Sequence, residues 1–279
     1  MSSRTPGTWS ARFRVDARPH DRKKTLMAVH ELYLLYLGRV YFDPANADNA
    51  WGQVPGYLIH TASGRYILVD TGNPLIPGGA TWEQRGDDVF IETQPEDDIV
   101  PRLAELGLQP KDIDLLVSSH FDFDHCGRHD VFALAGTESV VQRRHLEAAR
   151  AEPERFDPAL WDLPGLRYIP LDGDTELEPG LRLLETSGHA IGHQSVYVET
   201  PDGPVILAID AIGRRREALL RRVPEWSSDG HAALASLERL LRLAEETDAY
   251  LVYGHEQRQW QALPHSPAPF RRPTGETSG

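Results

Sequence analysis

Four side chains that can bind metal ions fall within six positions of this sequence. The stretch SSHFDFDHCG at 118–127 carries His120, Asp122, Asp124 and His125. Alternate residues of an extended segment point to one side, so His120, Asp122 and Asp124 are expected to project together, with His125 following from the turn. Imidazole nitrogens and carboxylate oxygens are ligands for zinc, iron and manganese. Four such groups at this spacing can serve two ions better than one.

Three further candidate ligands lie downstream, in short motifs rich in small residues. SGHAIGHQS contains His189, LAIDA contains Asp210 and YGHE contains His255. Two ions roughly 3.5 to 4 Å apart that share a hydroxide form a hydrolytic centre, in which one ion polarises a carbonyl or phosphoryl oxygen and the hydroxide attacks. We expect His120, Asp122 and His189 to hold one ion, Asp124, His125 and His255 to hold the other, and Asp210 to bridge them.

Alternating strand and helix patterns explain how distant residues could meet. Amphipathic helices are predicted at 97–109 and 231–247, where apolar residues recur at helical spacing. Several of the candidate ligands fall at or just past the C-terminal end of a predicted strand, where a sheet can hold side chains that converge on one site. The predicted strands lie at 32–42, within 55–72 as a hairpin, at 113–120, 138–142 and 181–186, within 193–210 as a second hairpin, and at 249–255.

These motifs, in this order, resemble those of the metallo-β-lactamase-fold hydrolases, and most closely those of the N-acyl-homoserine lactonases. HFDFDH is similar to the family's H-x-H-x-D-H, and SGHAIGHQS, AIDA and GHE are similar to its later ligand motifs. The similarity spans roughly residues 30–257. It implies an α/β fold, an αβ/βα sandwich of two mixed β-sheets flanked by helices, with the metal ions at one edge. It also implies that Asp70, in LVDTG, steadies the ligand loops.

The sequence departs from the family pattern at two positions. Asp122 stands where the family has a histidine, and Gly213 stands where the lactonases carry a tyrosine three residues after the bridging aspartate. A third carboxylate lowers the electrophilicity of the ion pair and favours manganese or iron, unless it leaves the first site weak or empty. At Gly213 a proton donor or oxyanion partner is missing unless another group replaces it.

The resemblance implies a metal-dependent hydrolase that opens a small lactone, either acyl-homoserine-lactone-like or another cyclic ester, by attack of a metal-bridging hydroxide. The expected cofactors are two divalent metal ions, with zinc favoured and manganese or iron as alternatives because of Asp122. Asp210 and Asp124 are the expected catalytic residues, with Asp124 passing a proton to the leaving alkoxide. Hydrolysis of an amide, thioester or phosphoester, a di-iron redox protein and a non-catalytic metal-binding protein are the alternatives.

The amino-acid composition limits the partners and the cellular location that can be expected. The 279 residues carry a formal net charge of -13, which argues against a nucleic-acid partner and leaves a small-molecule substrate. Cys126 is the only cysteine, so no intramolecular disulfide can form. No apolar run resembles a signal peptide or a membrane span, which predicts a cytoplasmic protein without a membrane partner. A homodimer is common in related lactonases.

Polar composition at both ends predicts one central domain. Residues 1–26 and 264–279 are expected to be mobile, with the metallo-β-lactamase-fold domain at 27–263. The basic run at 214–222 is interpreted as a solvated face, with a rim that attracts an anionic substrate group as the alternative.

Residues near the motifs are expected to have structural roles. Cys126 is interpreted as a small packed residue and His193 as a hydrogen-bonding one, while His129 and His145 are assigned to the surface. Tryptophans are interpreted either as packing or as an apolar wall for an acyl or aromatic group. The candidate wall residues are in 49–57, Trp82, Phe90, Trp161 and Trp226.

Overall fold

A computed structural model describes residues 14–15, 29–41, 51–85 and 89–273 of the chain. The N-terminal segment 1–26 that was predicted to be mobile therefore lies outside the described residues, apart from one two-residue strand. The strands are β1 Arg14–Val15, β2 Glu31–Tyr41, β3 Trp51–His60, β4 Tyr66–Val69, β5 Trp82–Gln84, β6 Phe90–Glu92, β7 Leu115–Val117, β8 Glu138–Gln142, β9 Arg167–Leu171, β10 Thr175–Glu178, β11 Leu181–Glu185, β12 Gln194–Thr200, β13 Gly203–Ile209 and β14 Tyr250–Tyr253.

Helices connect the strands and cover the sheets. Both predicted amphipathic helices are present; the second has nearly the predicted bounds, but the first spans only 99–105 of the predicted 97–109. The helices are α1 Ile99–Glu105, α2 Phe123–Cys126, α3 His129–Ala135, α4 Arg143–Ala151, α5 Pro158–Trp161, α6 Arg215–Leu220, α7 Gly230–Thr247 and α8 Gln257–Ala262. Among the described residues, no helix combines the length and the apolar character that a membrane span needs.

Two mixed sheets form the centre of the molecule. The six-stranded sheet has the order β1-β10-β11-β12-β13-β14, and the eight-stranded sheet has the order β5-β6-β2-β3-β4-β7-β8-β9. β13 pairs with β14 in parallel, and so do β4 with β7, β7 with β8 and β8 with β9. The predicted sandwich of two mixed sheets flanked by helices is confirmed.

The period-two pattern of the strands divides the core into layers. In β2, Leu32 and Leu34 pack between the sheets with residues such as Leu183 of β11. Leu35, on the opposite face of β2, packs with Leu103 of α1 instead. On the far side of the six-stranded sheet, Leu237 and Leu240 of α7 pack with Ile206. Because each sheet is buried on both faces, the strands are rigid supports for the loops at their ends.

The C-terminal segment packs against the domain beyond residue 263, although its polar composition predicted that it would be mobile. Phe270 is 1% exposed and belongs to the core between the sheets. The backbone N–H groups of Ser266 and Phe270 donate to the carbonyls of Leu34 and Leu32, at 2.9 and 2.7 Å. The predicted domain boundary at residue 263 is therefore too early, because one buried aromatic ring and two backbone bonds hold the polar segment; residues 274–279 lie outside the described part.

Candidate metal centre

The loop that follows β7 carries four of the candidate ligands and turns sharply. Residues 123–126 form one helical turn, in which the N–H groups of His125 and Cys126 donate to the carbonyl of Asp122 at 3.0 and 3.2 Å. The expectation of an extended segment was therefore wrong beyond Asp122. The turn separates His120 and Asp122 from Asp124 and His125, so each pair faces its own set of partners.

The first cluster consists of His120, Asp122, His189 and one oxygen of Asp210. Asp122 Oδ2 lies 3.3 Å from His120 Nε2 and 3.0 Å from His189 Nε2. Asp210 Oδ2 lies 3.3 Å from His189 Nε2 and 3.9 Å from His120 Nε2. His189 reaches this point from the loop after β11, and Asp210 directly follows β13.

The second cluster consists of Asp124, His125, His255 and the other oxygen of Asp210. His125 Nε2 lies 3.6 Å from Asp124 Oδ2 and 3.4 Å from Asp210 Oδ1. His255 Nε2 lies 3.8 Å from Asp124 Oδ2 and 3.1 Å from Asp210 Oδ1. The structure therefore brings all seven predicted ligands together, in the predicted grouping, with Asp210 between the two clusters.

The donor atoms fit divalent metal ions. Ligands bound tetrahedrally at 2.0 to 2.2 Å are roughly 3.3 to 3.6 Å apart, and the separations in both clusters scatter around that value. Buried polar atoms normally have hydrogen-bond partners, and those without one require another explanation. Four donor atoms of the clusters are buried without a hydrogen bond: His120 Nε2, Asp124 Oδ2, His125 Nε2 and Asp210 Oδ1.

The far nitrogens of three ligand histidines are held by neighbouring polar groups. His125 Nδ1 lies 2.9 Å from Asp70 Oδ2, His120 Nδ1 lies 2.9 Å from Ser119 Oγ, and His255 Nδ1 donates to the carbonyl of Gln53 at 2.8 Å. Such contacts fix the tautomer and the orientation of a ligand ring. Asp70 also accepts hydrogen bonds from the backbone N–H and the hydroxyl of Ser119, at 2.8 and 2.7 Å. Its position agrees with the steadying role that the resemblance implied.

The backbone before Asp210 adopts a conformation that a β-branched residue rarely takes. Ile209 has φ 53° and ψ -132°, and such strain persists only where the surroundings enforce it. The N–H of Asp210 donates to His193 Nε2 at 3.3 Å, and His193 Nδ1 lies 2.9 Å from Thr186 Oγ1. The predicted structural role of His193 is confirmed, since it holds the backbone that presents Asp210.

Electrostatics leave the first cluster with a neutral ring and a charged carboxylate. Burial lowers the pKa of His120 to about 3. Burial alone would raise the pKa of Asp122, but the nearby side chains of His120, His189 and Arg155 hold that pKa well below its usual range. In the second cluster, burial opposes protonation of His125, yet the carboxylates of Asp124 and Asp210 raise its pKa well above the usual range. The carboxylates of the second cluster therefore favour a positive charge beside them, whether it is a proton on the ring or a bound cation.

One charged partner of the centre was not predicted from the sequence. Arg155, in the turn after α4, binds both carboxylate oxygens of Asp122 through Nε and Nη2, at 2.9 and 2.8 Å. An arginine after a polar helix does not by itself indicate a role in a metal centre. A carboxylate at position 122 implies a nearby cation, but the sequence does not show which loop supplies it.

Three aromatic or imidazole residues near the motifs do not lie where they were expected. His129 and His145 are buried, so their assignment to the surface was wrong. His145 accepts the N–H of Phe121 at 2.8 Å and donates to a backbone carbonyl, which holds the ligand loop. Trp161 is 1% exposed and stacks on Phe121, so it cannot line an open wall. Cys126 is packed as predicted, with Sγ 3.3 Å from the carbonyl of Phe121.

An aromatic cluster adjoins Gly52, a residue that approaches His255. Trp82 stacks on Phe90 at 5.1 Å between centroids, and Tyr41 contacts both Phe90 and Trp51. The next residue, Gly52, passes so close to His255 that an added Cβ would lie 2.7 Å from the Cβ of that histidine. The cluster of Tyr41, Trp51, Trp82 and Phe90 is therefore joined through Trp51 to a residue that contacts a candidate ligand.

Glu217 lies beside the position where the family tyrosine is missing. A Cβ added at Gly213 would lie 3.6 Å from both carboxylate oxygens of Glu217 and 3.8 Å from His255 Cδ2. Glu217 accepts the N–H of Gly213 at 2.8 Å. It belongs to α6, which contains part of the basic run; Arg216 of this run is exposed.

Comparison with known proteins agrees with this geometry. Residues 49–255 match the Metallo-beta-lactamase superfamily. The N-acyl homoserine lactonase AiiA of Bacillus thuringiensis subsp. kurstaki is 35% identical over 249 residues, which cover 84% of this chain and 96% of that protein. The N-acyl homoserine lactonase AttM of Azorhizobium caulinodans is 31% identical over 232 residues, covering 77% of this chain and 86% of that protein.

Solved structures share the fold at similar identity. A mutant of B. thuringiensis AiiA with N-decanoyl-L-homoserine bound at its active site superposes with a TM-score of 0.77 at 31% identity, covering 87% of this chain and 100% of that chain. An N-acyl homoserine lactone hydrolase with its product, N-hexanoyl-L-homoserine, bound at the catalytic metal centre gives a TM-score of 0.76 at 31% identity with the same coverage.

Proposed function

The chain belongs to the metallo-β-lactamase superfamily, and we propose that it is a metal-dependent lactonase acting on N-acyl homoserine lactones or other small cyclic esters. One observation carries this proposal: two adjoining clusters of donor atoms share the carboxylate of Asp210. The relatives that match this chain over most of its length are N-acyl homoserine lactonases, which supports a lactone over other cyclic esters.

Each cluster of donor atoms holds one divalent ion in this proposal. His120, Asp122 and His189 would hold the first ion, Asp124, His125 and His255 would hold the second, and Asp210 would be shared between them. Zinc is favoured because nitrogen and carboxylate donors suit it, with manganese or iron as alternatives because Asp122 adds a hard oxygen ligand. When bound, such a pair supplies Lewis acidity to a carbonyl oxygen and lowers the pKa of water.

We propose that Asp124 transfers a proton to the leaving alkoxide. Burial raises the pKa of this carboxyl, and the neighbouring carboxylates of Asp210 and Asp122 raise it further against the opposing effect of His125 and His255. Its Oδ2 faces the second cluster, which leaves Oδ1 to take up the proton that the attacking nucleophile gives up. Opening of the ring produces an alkoxide, which needs that proton before the hydroxy acid can leave.

The aromatic cluster beside His255 is proposed to contact the acyl chain. Pockets for small ligands combine apolar walls with a few polar anchors; Trp51 and Phe90 both pack on Tyr41, and Gly52, the residue after Trp51, approaches His255. The net charge of -13 supports a small-molecule partner over a nucleic acid. A homodimer is proposed because it is common in related lactonases, and a cytoplasmic location because a single cysteine suits a reducing compartment.

A panel of model substrates tests the proposed reaction. We expect N-hexanoyl-L-homoserine lactone to be hydrolysed with a kcat/KM of at least roughly 10⁴ M⁻¹s⁻¹, the low end of the range for natural substrates. A simple aryl ester, an amide, an acyl thioester and a phosphodiester should be slower by at least about tenfold, since that ratio corresponds to only 1.4 kcal/mol of transition-state binding. Rates are measured on the zinc-loaded protein, with the chelated protein as the control.

One result of the panel would favour a different bond. Gly213 offers no side chain where the lactonases carry a tyrosine, which keeps amide, thioester and phosphoester hydrolysis as alternatives. A phosphodiester, amide or thioester that turns over faster than every lactone in the panel would contradict the lactonase proposal.

A further inference from the structure

We propose that Arg155 is a positioning residue that makes Asp122 usable as a metal ligand in place of a histidine. The inference rests on the proposed two-ion centre and concerns how this chain builds the first of its two sites. It assigns to Arg155 two tasks: holding the carboxylate of Asp122 in one orientation, and offsetting the negative charge that this carboxylate adds.

The guanidinium holds Asp122 in a fixed orientation. Nε and Nη2 bind the two carboxylate oxygens side by side, at 2.9 and 2.8 Å, which is the planar pairing that only arginine offers. The remaining Nη1 lies 2.8 Å from Ser228 Oγ and 3.2 Å from the carbonyl of His189. Arg155 therefore ties Asp122 to the loop of His189, so that two ligands of the first cluster are positioned by one side chain.

The guanidinium also offsets the negative charge of Asp122. The centre then has the net charge that it would have with a neutral imidazole at position 122. Asp124 and Asp210 contribute two negative charges to the clusters, and Asp122 raises this number to three. Arg155 contributes one positive charge, which returns the sum to minus two. The pair is 25% and 17% exposed, respectively, so solvent screens it only in part. A carboxylate ligand and its arginine together thus replace a histidine without a change in the charge presented to the ions.

The spacing of the first cluster favours an ion held beside the guanidinium over a guanidinium that replaces the ion. Arg155 Nη2 lies 3.3 Å from His189 Nε2, so the guanidinium borders the site. Yet His120 Nε2 remains buried without a hydrogen-bond partner. The distances from histidine nitrogen to carboxylate oxygen in the first cluster are 3.0 to 3.9 Å, much like the 3.1 to 3.8 Å of the second cluster, which has no arginine among its members. Both clusters therefore have the dimensions of a metal site.

Zinc titration of the full chain tests this assignment. After chelation, the affinity for each zinc ion is measured against a chromophoric chelator, for the unmodified protein and for Arg155→Gln, Arg155→Lys and Asp122→His/Arg155→Gln. We expect Arg155→Gln to weaken one of the two zinc ions by roughly 10- to 100-fold and to leave the other unchanged, as for loss of a group that orients a ligand. Arg155→Lys keeps the charge but not the planar pairing, so it should fall in between.

The double substitution separates a positioning role from a merely structural one. A histidine at position 122 needs no guanidinium, so Asp122→His/Arg155→Gln should recover most of the zinc affinity that Arg155→Gln loses. Arg143→Gln is the matched control, because Arg143 binds both oxygens of the exposed Asp172 in the same way, at 3.0 Å each, away from the clusters. This control should leave both zinc affinities unchanged.

Several outcomes would overturn the assignment. Unchanged zinc affinity for both ions in Arg155→Gln would mean that the arginine only stabilises its surface loop. Tighter zinc binding would mean that the guanidinium excludes an ion. An unmodified protein that binds one ion would also overturn it. If Arg155→Gln does not fold, the zinc affinity of Arg155→Lys decides. The measurement follows zinc binding and not turnover. If the zinc affinities of the variants change as expected but the protein opens no lactone, only the proposed function is refuted.

Discussion

The variant Asp210→Ala is expected to lose lactone turnover by at least roughly 10³-fold, because charge stabilisation by a metal pair is worth several kcal/mol and each 1.4 kcal/mol is tenfold in rate. Asp210 is the side chain that both clusters share. Its Oδ1 lies 3.1 Å from His255 Nε2 and its Oδ2 lies 3.3 Å from His189 Nε2. Alanine removes a donor atom from both proposed ion sites at once.

The fold should survive this substitution. The N–H of residue 210 that donates to His193 is a backbone group, and β13 ends one residue earlier, so alanine retains both. Turnover of N-hexanoyl-L-homoserine lactone and thermal unfolding are measured together. Asp172→Ala is the control, since Asp172 is exposed and paired only at the surface. Retention of more than about a tenth of the activity, which is 1.4 kcal/mol of transition-state stabilisation, would contradict the bridging role.

The variant Asp70→Ala is expected to damage both stability and metal affinity. Asp70 is fully buried and accepts hydrogen bonds from the N–H and hydroxyl of Ser119, while its Oδ2 lies 2.9 Å from His125 Nδ1. Removing one partner of a buried charged network costs on the order of 3 to 5 kcal/mol, because the donors that remain have lost their acceptor. Loss of the group that orients His125 should also weaken zinc binding by roughly 10- to 100-fold.

Urea unfolding of the chelated protein measures the stability, and zinc titration measures the affinity. Asp114→Ala is the matched control: Asp114 accepts the backbone N–H of Tyr66 at 2.9 Å in the same sheet but has no contact with a ligand histidine. The control should lose about 1 kcal/mol, the value of a typical hydrogen bond, and no zinc affinity. An Asp70→Ala variant that matches this control in both measurements would show that the ligand loops keep their conformation without Asp70.

The sequence predicted the parts of the fold that depend on local periodicity. Short apolar runs located β2 and β8, and the strand ends located Asp210 and His255. The grouping of the seven ligands into two clusters followed from motif order and did not require the correct local geometry. The helical turn at 123–126 changed the direction of Asp124 without changing its cluster, since a turn of this length moves a side chain by only a few ångströms.

Contacts between distant loops could not be predicted. Arg155 binds Asp122 across 33 residues, and no periodic pattern encodes such a meeting. His145 is a polar residue on a helix, and it is buried because its ring satisfies the backbone of the ligand loop. The fold of the C-terminal segment depends on the single ring of Phe270, whose burial outweighs the polar composition around it.

The most direct test of the two-ion lactonase is the rate of N-hexanoyl-L-homoserine lactone hydrolysis as a function of zinc bound per chain. The chelated protein is titrated with zinc, and acid release is recorded together with the bound metal. We expect negligible turnover without zinc and a rise that saturates at two bound ions per chain. Full activity at one bound ion, or no acid release with both ions bound, would contradict this expectation.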